Sequence, residues 1–294
     1  MNEPLLSADA PSKINLYLKI TGRREDGYHL LESLFLPLAS PADRIAIDRE
    51  GVPGTVTLAA SRLDVPGGKE NLAARAALRW AEKSGVMPAW DIQIVKNIPV
   101  AAGMGGGSSD AGTVMRLLND HYGKPLGPEE LAEAALALGA DVPFFLDPRP
   151  AVMRGIGELA EPLDFVVPDI PLLIVAPGFP VNTAEAYRKL DAQRVEPVDE
   201  LWRKDFLDAL RQSEWDKLGA LFRNDLAPAV YAKYPILPLL EKELYASGAL
   251  GAAMTGSGPT LFAVFADRKK LEAVCAEWRE RYPEFQILPG ALPR

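Results

Sequence analysis

The stretch that most constrains the fold of this chain is glycine-rich and covers residues 99–113, PVAAGMGGGSSDAGT. An apolar run over residues 91–96, DIQIVK, precedes it and predicts a strand, and residues 111–122 have a helical pattern. A glycine-rich turn that opens a helix leaves backbone N–H groups unpaired at the positive end of the helix dipole, where they attract anions. Glycine also lets the backbone approach the anion closely. The stretch therefore predicts a phosphate-binding loop.

Two familiar phosphate-binding patterns do not fit this stretch. The Walker A pattern needs Gly-Lys-Ser/Thr, and the stretch contains no lysine. The pattern G-x-G-x-x-G fails because Ser108 stands in the sixth place counted from Gly103, and Asp110 stands there counted from Gly105. A turn that only lets a strand and a helix pack closely remains an alternative. Three consecutive glycines before two hydroxyl residues favour the anion site.

Composition limits the classes of protein that this chain can belong to. Its 294 residues suggest one large or two medium domains, and 48% hydrophobic with 24% charged residues is ordinary for a soluble globular protein. The net charge of −8, without a basic block, argues against nucleic-acid binding. The single cysteine, Cys275, cannot form an internal disulfide and suggests a small core residue in a reducing compartment. Neither a signal peptide nor a membrane-length apolar run is apparent, so we expect a cytoplasmic protein.

An early segment, residues 13–20 with the sequence KINLYLKI, alternates between apolar and polar side chains. This pattern predicts a strand with one buried face. Lys13 and Asn15 then point the same way, about 7 Å apart at the rise of two strand residues. Two interpretations of this polar face remain open, a solvated surface or a pair of functional groups.

The segment that follows offers a candidate ring-binding pair. Residues 21–28, TGRREDGY, predict a charged loop that leads into an apolar run over residues 29–38. His29 is one of two histidines, and the adjacent Tyr28 has an aromatic face that suits a flat ring. A surface or packing role for His29 is the alternative.

A cap residue and an isolated carboxylate stand out in the next part of the chain. Asn71 is predicted to cap a helix over residues 72–84, which Gly85 ends. A second predicted helix runs from Pro128 towards Gly139, and Asp141 follows it directly before the apolar run VPFF. Charged groups rarely stand beside buried segments without a function, although a turn-forming or capping aspartate is the alternative.

The second half of the chain predicts a further α/β unit. Residues 155–160 match G-x-G-x-x-A, but Pro162 leaves no room for a helix, so we reject a dinucleotide-binding interpretation. The predicted elements are a strand at 172–176, a short helix after Asn182, helices over 198–247, a strand at 260–266, a helix at 269–281 and a strand at 285–288. The glycine-rich turn at 248–259 is either a tight loop or a second wall of the phosphate site.

Three features in this order resemble the GHMP kinase superfamily, which includes homoserine, mevalonate and galactose kinases. They are the Lys/Asn strand, the PxxxGxGGGSSxA loop and a late GxGP turn before a strand. The closer resemblance is to the branch that phosphorylates a cytidine-diphosphate-linked methylerythritol in the non-mevalonate route to isoprenoids. The blocks that carry it are residues 11–35, 71–77, 97–111, 138–146, 155–158 and 254–265.

This resemblance implies an α+β fold with two domains and the active site between them. The N-terminal ATP-binding domain, over residues 1–165, is expected to resemble ribosomal protein S5 domain 2. The C-terminal substrate domain, over residues 166–294, is expected to be ferredoxin-like. The boundary is placed just before residues 168–180, PDIPLLIVAPGFP, a segment punctuated by prolines. The implied reaction is ATP-dependent phosphorylation of the 2-hydroxyl of a small-molecule alcohol, by a monomer or homodimer without nucleic-acid or membrane partners.

The resemblance also implies roles for individual residues. Asp141 resembles the base that accepts the hydroxyl proton, Lys13 its partner, and Asn15 a substrate contact. Tyr28 and His29 resemble a cytosine pocket that Thr183 and Tyr187 would close. Asn71 and Lys96 resemble contacts on the adenine side of ATP. The implied phosphate loop consists of Pro99, Val100, Ala101, Ala102, Gly103, Met104, Gly105, Gly106, Gly107, Ser108 and Ser109.

The implied cofactors are ATP and Mg²⁺, with Ser108 or Ser109 as an oxygen ligand of the cation. Two alternatives remain. One is another superfamily kinase, of the homoserine or mevalonate type, and the Tyr28–His29 pair argues against it. The other is a nucleotide-binding module without turnover, which would not need Lys13 and Asp141 together.

Overall fold

The computed structural model describes residues 4–48, 51–190 and 197–293. The chain divides into two compact units that alternate along the sequence. The first unit comprises Met1–Ser12, Ala42–Val100 and Gly105–Pro148, and the second comprises Lys13–Pro41, Ala101–Met104 and Arg149–Arg294. The linear division at residue 165 stays a prediction.

The described residues contain strands and helices in both units. The strands are β1 (Leu6–Arg23), β2 (His29–Asp48), β3 (Thr55–Ala60), β4 (Ala89–Val95), β5 (Ala151–Arg154), β6 (Leu159–Pro162), β7 (Leu172–Ala176), β8 (Arg223–Asn224), β9 (Gly251–Met254), β10 (Leu261–Val264) and β11 (Gln286–Gly290). The α-helices are α1 (Leu72–Ser84), α2 (Gly106–His121), α3 (Pro128–Leu136), α4 (Thr183–Leu190), α5 (Glu200–Arg211), α6 (Trp215–Ala220), α7 (Ala227–Lys233), α8 (Ile236–Ala246) and α9 (Arg268–Arg281).

The first unit packs α1, α2 and α3 together beside strands β2, β3 and β4. β3 is parallel to β4, and β4 is antiparallel to the end of β2, where Ile45 pairs with Ile94. The helix predicted at 72–84 is confirmed, with Asn71 as its N-cap and Gly85 as its left-handed C-cap. Its alanine-rich face and Trp80 are buried, which lets α1 pack closely on α2.

Helix α2 begins five residues earlier than its apolar pattern predicts, at Gly106 instead of residue 111. The reason is that Gly105 takes a φ of 74°, a conformation that glycine adopts without strain, and so serves as the N-cap. The last part of the glycine-rich stretch therefore forms the first turn of α2. The low helix propensity of glycine is overridden here by packing.

The second unit contains a four-stranded antiparallel sheet in the order β11-β7-β10-β9. Side chains from this sheet, including Val175 and Leu261, share a hydrophobic core with the helices, to which α9 contributes Trp278. β1 pairs in parallel with β8, and β2 pairs with the hairpin of β5 and β6. The hairpin occupies the G-x-G-x-x-A segment, so strand β6 follows the motif at the place where a dinucleotide-binding fold has a helix.

Several predictions of secondary structure were wrong. β2 is one continuous strand that extends ten residues beyond the apolar run at 29–38, to Asp48. The short strand β8 and helix α7 lie where the pattern predicts longer helices, and β9 lies inside the predicted turn at 248–259. β1 has both faces buried instead of one, because Lys13, Asn15 and Tyr17 are covered as well. No helix in the described ranges is long and apolar enough to cross a membrane.

Candidate active site

Lys13 and Asn15 lie side by side on β1 in the second unit. The Lys13 ammonium donates to Asn15 Oδ1 at 2.7 Å and lies 4.5 Å from the centroid of the Phe35 ring. Asn15 Nδ2 in turn donates to Ser33 Oγ at 2.8 Å. Both side chains are nearly inaccessible, at 4% and 2% exposure, so the solvated-face interpretation was wrong. A buried ammonium needs such partners, which indicates a constrained, preorganised cation.

The glycine-rich turn after β9 packs against this pair. Asn15 N–H donates to Thr255 Oγ1 at 2.8 Å, and the Thr255 hydroxyl donates to Asn15 Oδ1 at 3.2 Å. A Cβ on Gly256 would lie 2.9 Å from the Gly103 carbonyl oxygen and 3.5 Å from Lys13 Nζ. The turn therefore lies against residues 101–104 of the glycine-rich stretch, within the second unit.

The N-terminus of α2, in the first unit, has the geometry of an anion site. No side chain caps it, and its first internal hydrogen bond runs from Ser109 N to Gly105 O at 2.8 Å. The N–H groups of Gly106, Gly107 and Ser108 precede that bond, so the helix itself provides them with no acceptor. A Cβ on Gly107 would meet no other part of the protein within 4 Å, so this turn of α2 is open at Gly107. The arrangement can bind a phosphate group.

Lys96 lies beside this helix end in a buried ionic cluster with Asp43 and Asp110. Its ammonium donates to Asp43 Oδ2 and, at 2.7 Å, to Asp110 Oδ2. The side chains of all three residues are at most 5% exposed. Burial raises the pKa of Asp110 to about 7; the Lys96 charge opposes the rise and the Asp43 charge adds to it. Burial also disfavours the charged form of Lys96, but the two carboxylates outweigh it and raise the pKa of Lys96.

Asp43 and Asp110 were missed by sequence reasoning. Asp43 also accepts hydrogen bonds from the backbone N–H groups of Asn97 and Ile98, at 2.6 and 2.9 Å, and so fixes the chain that leaves β4. Asp43 stands between Ala42 and Arg44 in the sequence, and no local pattern distinguishes it from a surface carboxylate. The assignment of Lys96 to the adenine side of ATP stays a prediction.

Asn71 uses both ends of its amide within the first unit. Its oxygen accepts from Ala73 N–H at 2.9 Å, and its nitrogen donates to the Pro66 carbonyl at 2.8 Å. This confirms the helix cap, and the contact of Asn71 with adenine stays a prediction.

Asp141 lies in the same unit, between α3 and a short 3₁₀ helix over Pro143–Leu146, and is partly exposed. Pro99 and Val100 belong to this unit too.

The predicted ring-binding residues all lie in the second unit. The rings of His29 and Tyr187 are 5.2 Å apart and inclined by 34°, so the fold brings this predicted pair together. Tyr28 is 61% exposed, which leaves its ring accessible to a ligand. Thr183 and Ser257 share a hydrogen bond of 2.8 Å between their hydroxyls, which links α4 to the late glycine-rich turn.

Comparison with known families identifies the chain's relationship. The GHMP kinases N terminal domain matches residues 71–147, and the GHMP kinases C terminal domain matches residues 206–284. The chain belongs to the GHMP kinases. It is therefore an ATP-dependent small-molecule kinase with the predicted α+β fold, and these expectations are confirmed.

Individual relatives of this GHMP kinase cover nearly its whole length. The 4-diphosphocytidyl-2-C-methyl-D-erythritol kinase of Geobacter metallireducens is 40% identical over 90% of this chain and 91% of its own. The enzyme of the same name from Pelotomaculum thermopropionicum is 38% identical over 99% of both chains. A crystal structure of 4-(cytidine 5'-diphospho)-2C-methyl-D-erythritol kinase matches with 32% identity and a TM-score of 0.79, over 98% of this chain and all of that one.

A homoserine kinase from Cytophaga hutchinsonii has the same fold. It matches with a TM-score of 0.75 over 99% of this chain and 96% of its own, but with 16% identity. At this identity the likeness concerns the fold alone. This chain is 32–40% identical to the kinases named for the methylerythritol substrate and 16% identical to the homoserine kinase.

Proposed function

We propose that this GHMP kinase transfers the γ-phosphoryl group of ATP to the 2-hydroxyl of 4-diphosphocytidyl-2-C-methyl-D-erythritol, a step of the non-mevalonate route to isoprenoid precursors. The observation that carries the proposal is the identity of 38–40% to relatives with that name over 90% or more of the chain. The contact between His29 and Tyr187 supports recognition of a flat ring such as cytosine.

Phosphoryl transfer needs positioning and neutralisation of charge. In the proposed reaction the acceptor oxygen forms a bond to the γ-phosphorus, its proton passes to the Asp141 carboxylate, and ADP leaves. The Lys13 ammonium would stabilise the negative charge on the reacting oxygens. The contact with Asn15 supports this role, because it restricts the ammonium to one position.

The proposed phosphate loop comprises residues 99–109. The N–H groups of Gly106, Gly107 and Ser108 would bind phosphate oxygens. The open space at the Gly107 Cβ position supports access to this turn. Asn71 and Lys96 are proposed to line the adenine side. Tyr28, Thr183 and Tyr187 are proposed to surround the cytosine with His29.

Mg²⁺ is proposed to enter with the nucleotide. The described residues include no group of three or more His, Cys, Asp or Glu that could hold a metal ion, so phosphate oxygens would supply most ligands. Ser109 Oγ fits as a protein ligand, because it is buried and has no hydrogen-bond partner. When bound, the cation would neutralise phosphate charge. We further propose that the enzyme is cytoplasmic, acts without nucleic acid, and is a monomer or homodimer.

The first experiment is to measure ADP release with ATP, Mg²⁺ and each of four acceptors, namely 4-diphosphocytidyl-2-C-methyl-D-erythritol, homoserine, mevalonate and galactose. We expect turnover with the first alone, and inhibition of that turnover by added cytidine. Turnover with another acceptor and no effect of cytidine would overturn the proposed substrate and leave the kinase class in place. ATP binding without turnover on any acceptor would contradict the proposed reaction.

The role of Asp141 is testable by the substitution Asp141→Asn. Loss of a general base lowers kcat by about 10²–10⁴-fold, while ATP binding persists because the amide has the same shape. Steady-state kinetics and calorimetric titration with ATP would measure the two effects. A variant with unchanged kcat would exclude Asp141 as the base.

A further inference from the structure

The side chain of Asn224, the last residue of β8, holds the late glycine-rich turn from both sides of Thr255. Its Nδ2 donates to the Met254 carbonyl at 2.6 Å and to the Gly256 carbonyl at 2.8 Å. Its Oδ1 accepts from Leu226 N–H at 3.0 Å. The amide nitrogen thus binds the turn through two hydrogen bonds, and the amide oxygen binds the backbone that follows β8.

β8 is itself fixed to β1, the strand that carries Lys13 and Asn15. Asn224 is in register with Leu18, and Asp225 N–H donates to the Leu18 carbonyl at 2.9 Å. The Asp225 carboxylate accepts from Ile20 N–H at 2.8 Å. Asn224 therefore connects the turn to the same strand on which the candidate catalytic lysine lies.

The turn in its held position makes the contacts that fix the lysine. The Thr255 side chain exchanges two hydrogen bonds with Asn15, and Asn15 Oδ1 accepts from the Lys13 ammonium. A Cβ on Gly256 would lie 2.9 Å from the Gly103 carbonyl oxygen and 3.3 Å from Asn15 Oδ1, so the turn leaves no space for a side chain there. A small shift of the turn would therefore move Thr255, Asn15 and the ammonium together.

We propose that Asn224 is a positioning residue for phosphoryl transfer, which acts through Thr255 and Asn15 on the Lys13 ammonium. The inference rests on the proposed role of Lys13. An amide suits this position because it combines two donors with an acceptor. An aspartate keeps the acceptor for Leu226 N–H, but it directs carboxylate oxygen at two carbonyl oxygens and so repels the turn.

The test compares Asn224→Asp with the matched control Asp225→Ala. The first variant keeps the bond to Leu226 and loses both bonds to the turn. The second removes the side-chain bond between β8 and β1 and leaves the bonds to the turn intact. Thermal unfolding of both variants measures the general loss of stability, against which kcat is compared.

We expect Asn224→Asp to lower kcat about 10- to 100-fold, because a displacement of about 1 Å has effects of this size. The KM for ATP and for the acceptor should stay within about threefold of wild type, since uniform binding is kept. Asp225→Ala should keep kcat within about threefold of wild type, even at an equal loss of stability. Unchanged kcat in Asn224→Asp, or equal losses of kcat in both variants, would overturn the proposal.

Hydrogen exchange tests the contact without substrate. The N–H groups of Thr255 and Gly258 donate to Thr260 O and Thr255 O, each at 2.9 Å. In Asn224→Asp these amides should exchange at least about tenfold faster than in wild type, and in Asp225→Ala at the wild-type rate. Unchanged exchange in Asn224→Asp would show that Asn224 does not hold the turn. Fast exchange in an enzyme that is inactive on every acceptor would instead locate the failure in the proposed function.

Discussion

Gly107 is the residue at which the proposed phosphate site can be separated most directly from a structural turn. It is exposed in the first turn of α2, and beyond the adjacent helix backbone no atom lies within 4 Å of the position of an added Cβ. Its backbone has helical geometry, so an alanine is compatible with it. If glycine is needed here, the need comes from a ligand that approaches the backbone, and the fold itself does not require it.

We therefore predict that Gly107→Ala keeps or raises the stability of the protein and weakens ATP binding. Alanine stabilises a helix by up to about 1 kcal/mol relative to glycine. A methyl group in the space for phosphate should raise the KM for ATP roughly tenfold or more. Thermal unfolding and steady-state kinetics would measure both effects.

Gly112→Ala is the contrasting variant on the same helix. Its added Cβ would lie 2.7 Å from the Phe145 Cβ in a buried contact, so it should destabilise the fold by about 1–3 kcal/mol. A wild-type KM for ATP in Gly107→Ala would argue for the structural turn and against the phosphate site.

At the scale of elements, the cluster of Asp43, Lys96 and Asp110 joins β2, the end of β4 and α2. One ammonium serves two carboxylates that are both buried, so the second negative charge is poorly compensated. The raised pKa of Asp110, about 7, follows from this burial and from the neighbouring Asp43. The folded protein therefore holds the Asp110 proton more tightly than the unfolded chain, whose aspartate has a pKa near 3.8.

The sign of the pH dependence follows directly. Between about pH 4 and pH 7 the folded state binds more protons at Asp110 than the unfolded state does. The protonated Asp110 therefore contributes to stability at the acidic end of this range, and that contribution falls as the pH rises. Asp110→Asn cannot ionise and removes this dependence. We predict that the free energy of unfolding of the wild type, relative to Asp110→Asn, decreases between pH 5 and pH 8.

Urea unfolding of both proteins at the two pH values measures this difference. Asp208→Asn is a suitable control, because Asp208 forms a surface pair with Lys204 on α5 and this pair is well solvated. Its effect on stability should be small at both pH values. A relative stability of the wild type that is constant or increases with pH would contradict the predicted ionisation of Asp110.

At the scale of the whole molecule, the net charge of −8 governs which macromolecules the protein can approach. A polyanion is repelled by an acidic surface, and no basic block in the sequence offsets this charge. We predict no retardation of duplex DNA or single-stranded RNA in mobility-shift experiments at about 0.15 M salt. Salt-sensitive retardation at micromolar protein would contradict the expected absence of a nucleic-acid partner.

The course of the chain through the two units explains why domains are hard to place from sequence. β1, β2 and the glycine-rich stretch each contribute residues to both units. Changes in composition along the chain indicate where a linker could lie. They do not show that the chain passes repeatedly from one unit to the other. The residue-165 division was based on one proline-rich segment, while the units depend on contacts between distant segments.

Local signals predicted the elements whose stabilising contacts are near in sequence. The α1 cap, its glycine end and the position of α9 follow from side chains within a few residues of each other. Short elements were missed where pairing partners are distant. β8 has two residues and exists because of its pairing with β1, and the same local sequence reads as the end of a helix.

The sequence by itself determined the kinase superfamily and the caps of helix α1, and it predicted a glycine-rich anion site and the candidates Lys13, Asn15 and Asp141. Only the tertiary structure decided the partners of these groups. Asn15 meets Thr255 across 240 residues, and Lys96 meets Asp43 across 53. Such pairs depend on strand register and turn geometry throughout the fold, so no local pattern records them. The two side chains of each pair bond to each other because both are buried, and a polar group removed from water needs a hydrogen-bond partner within the protein.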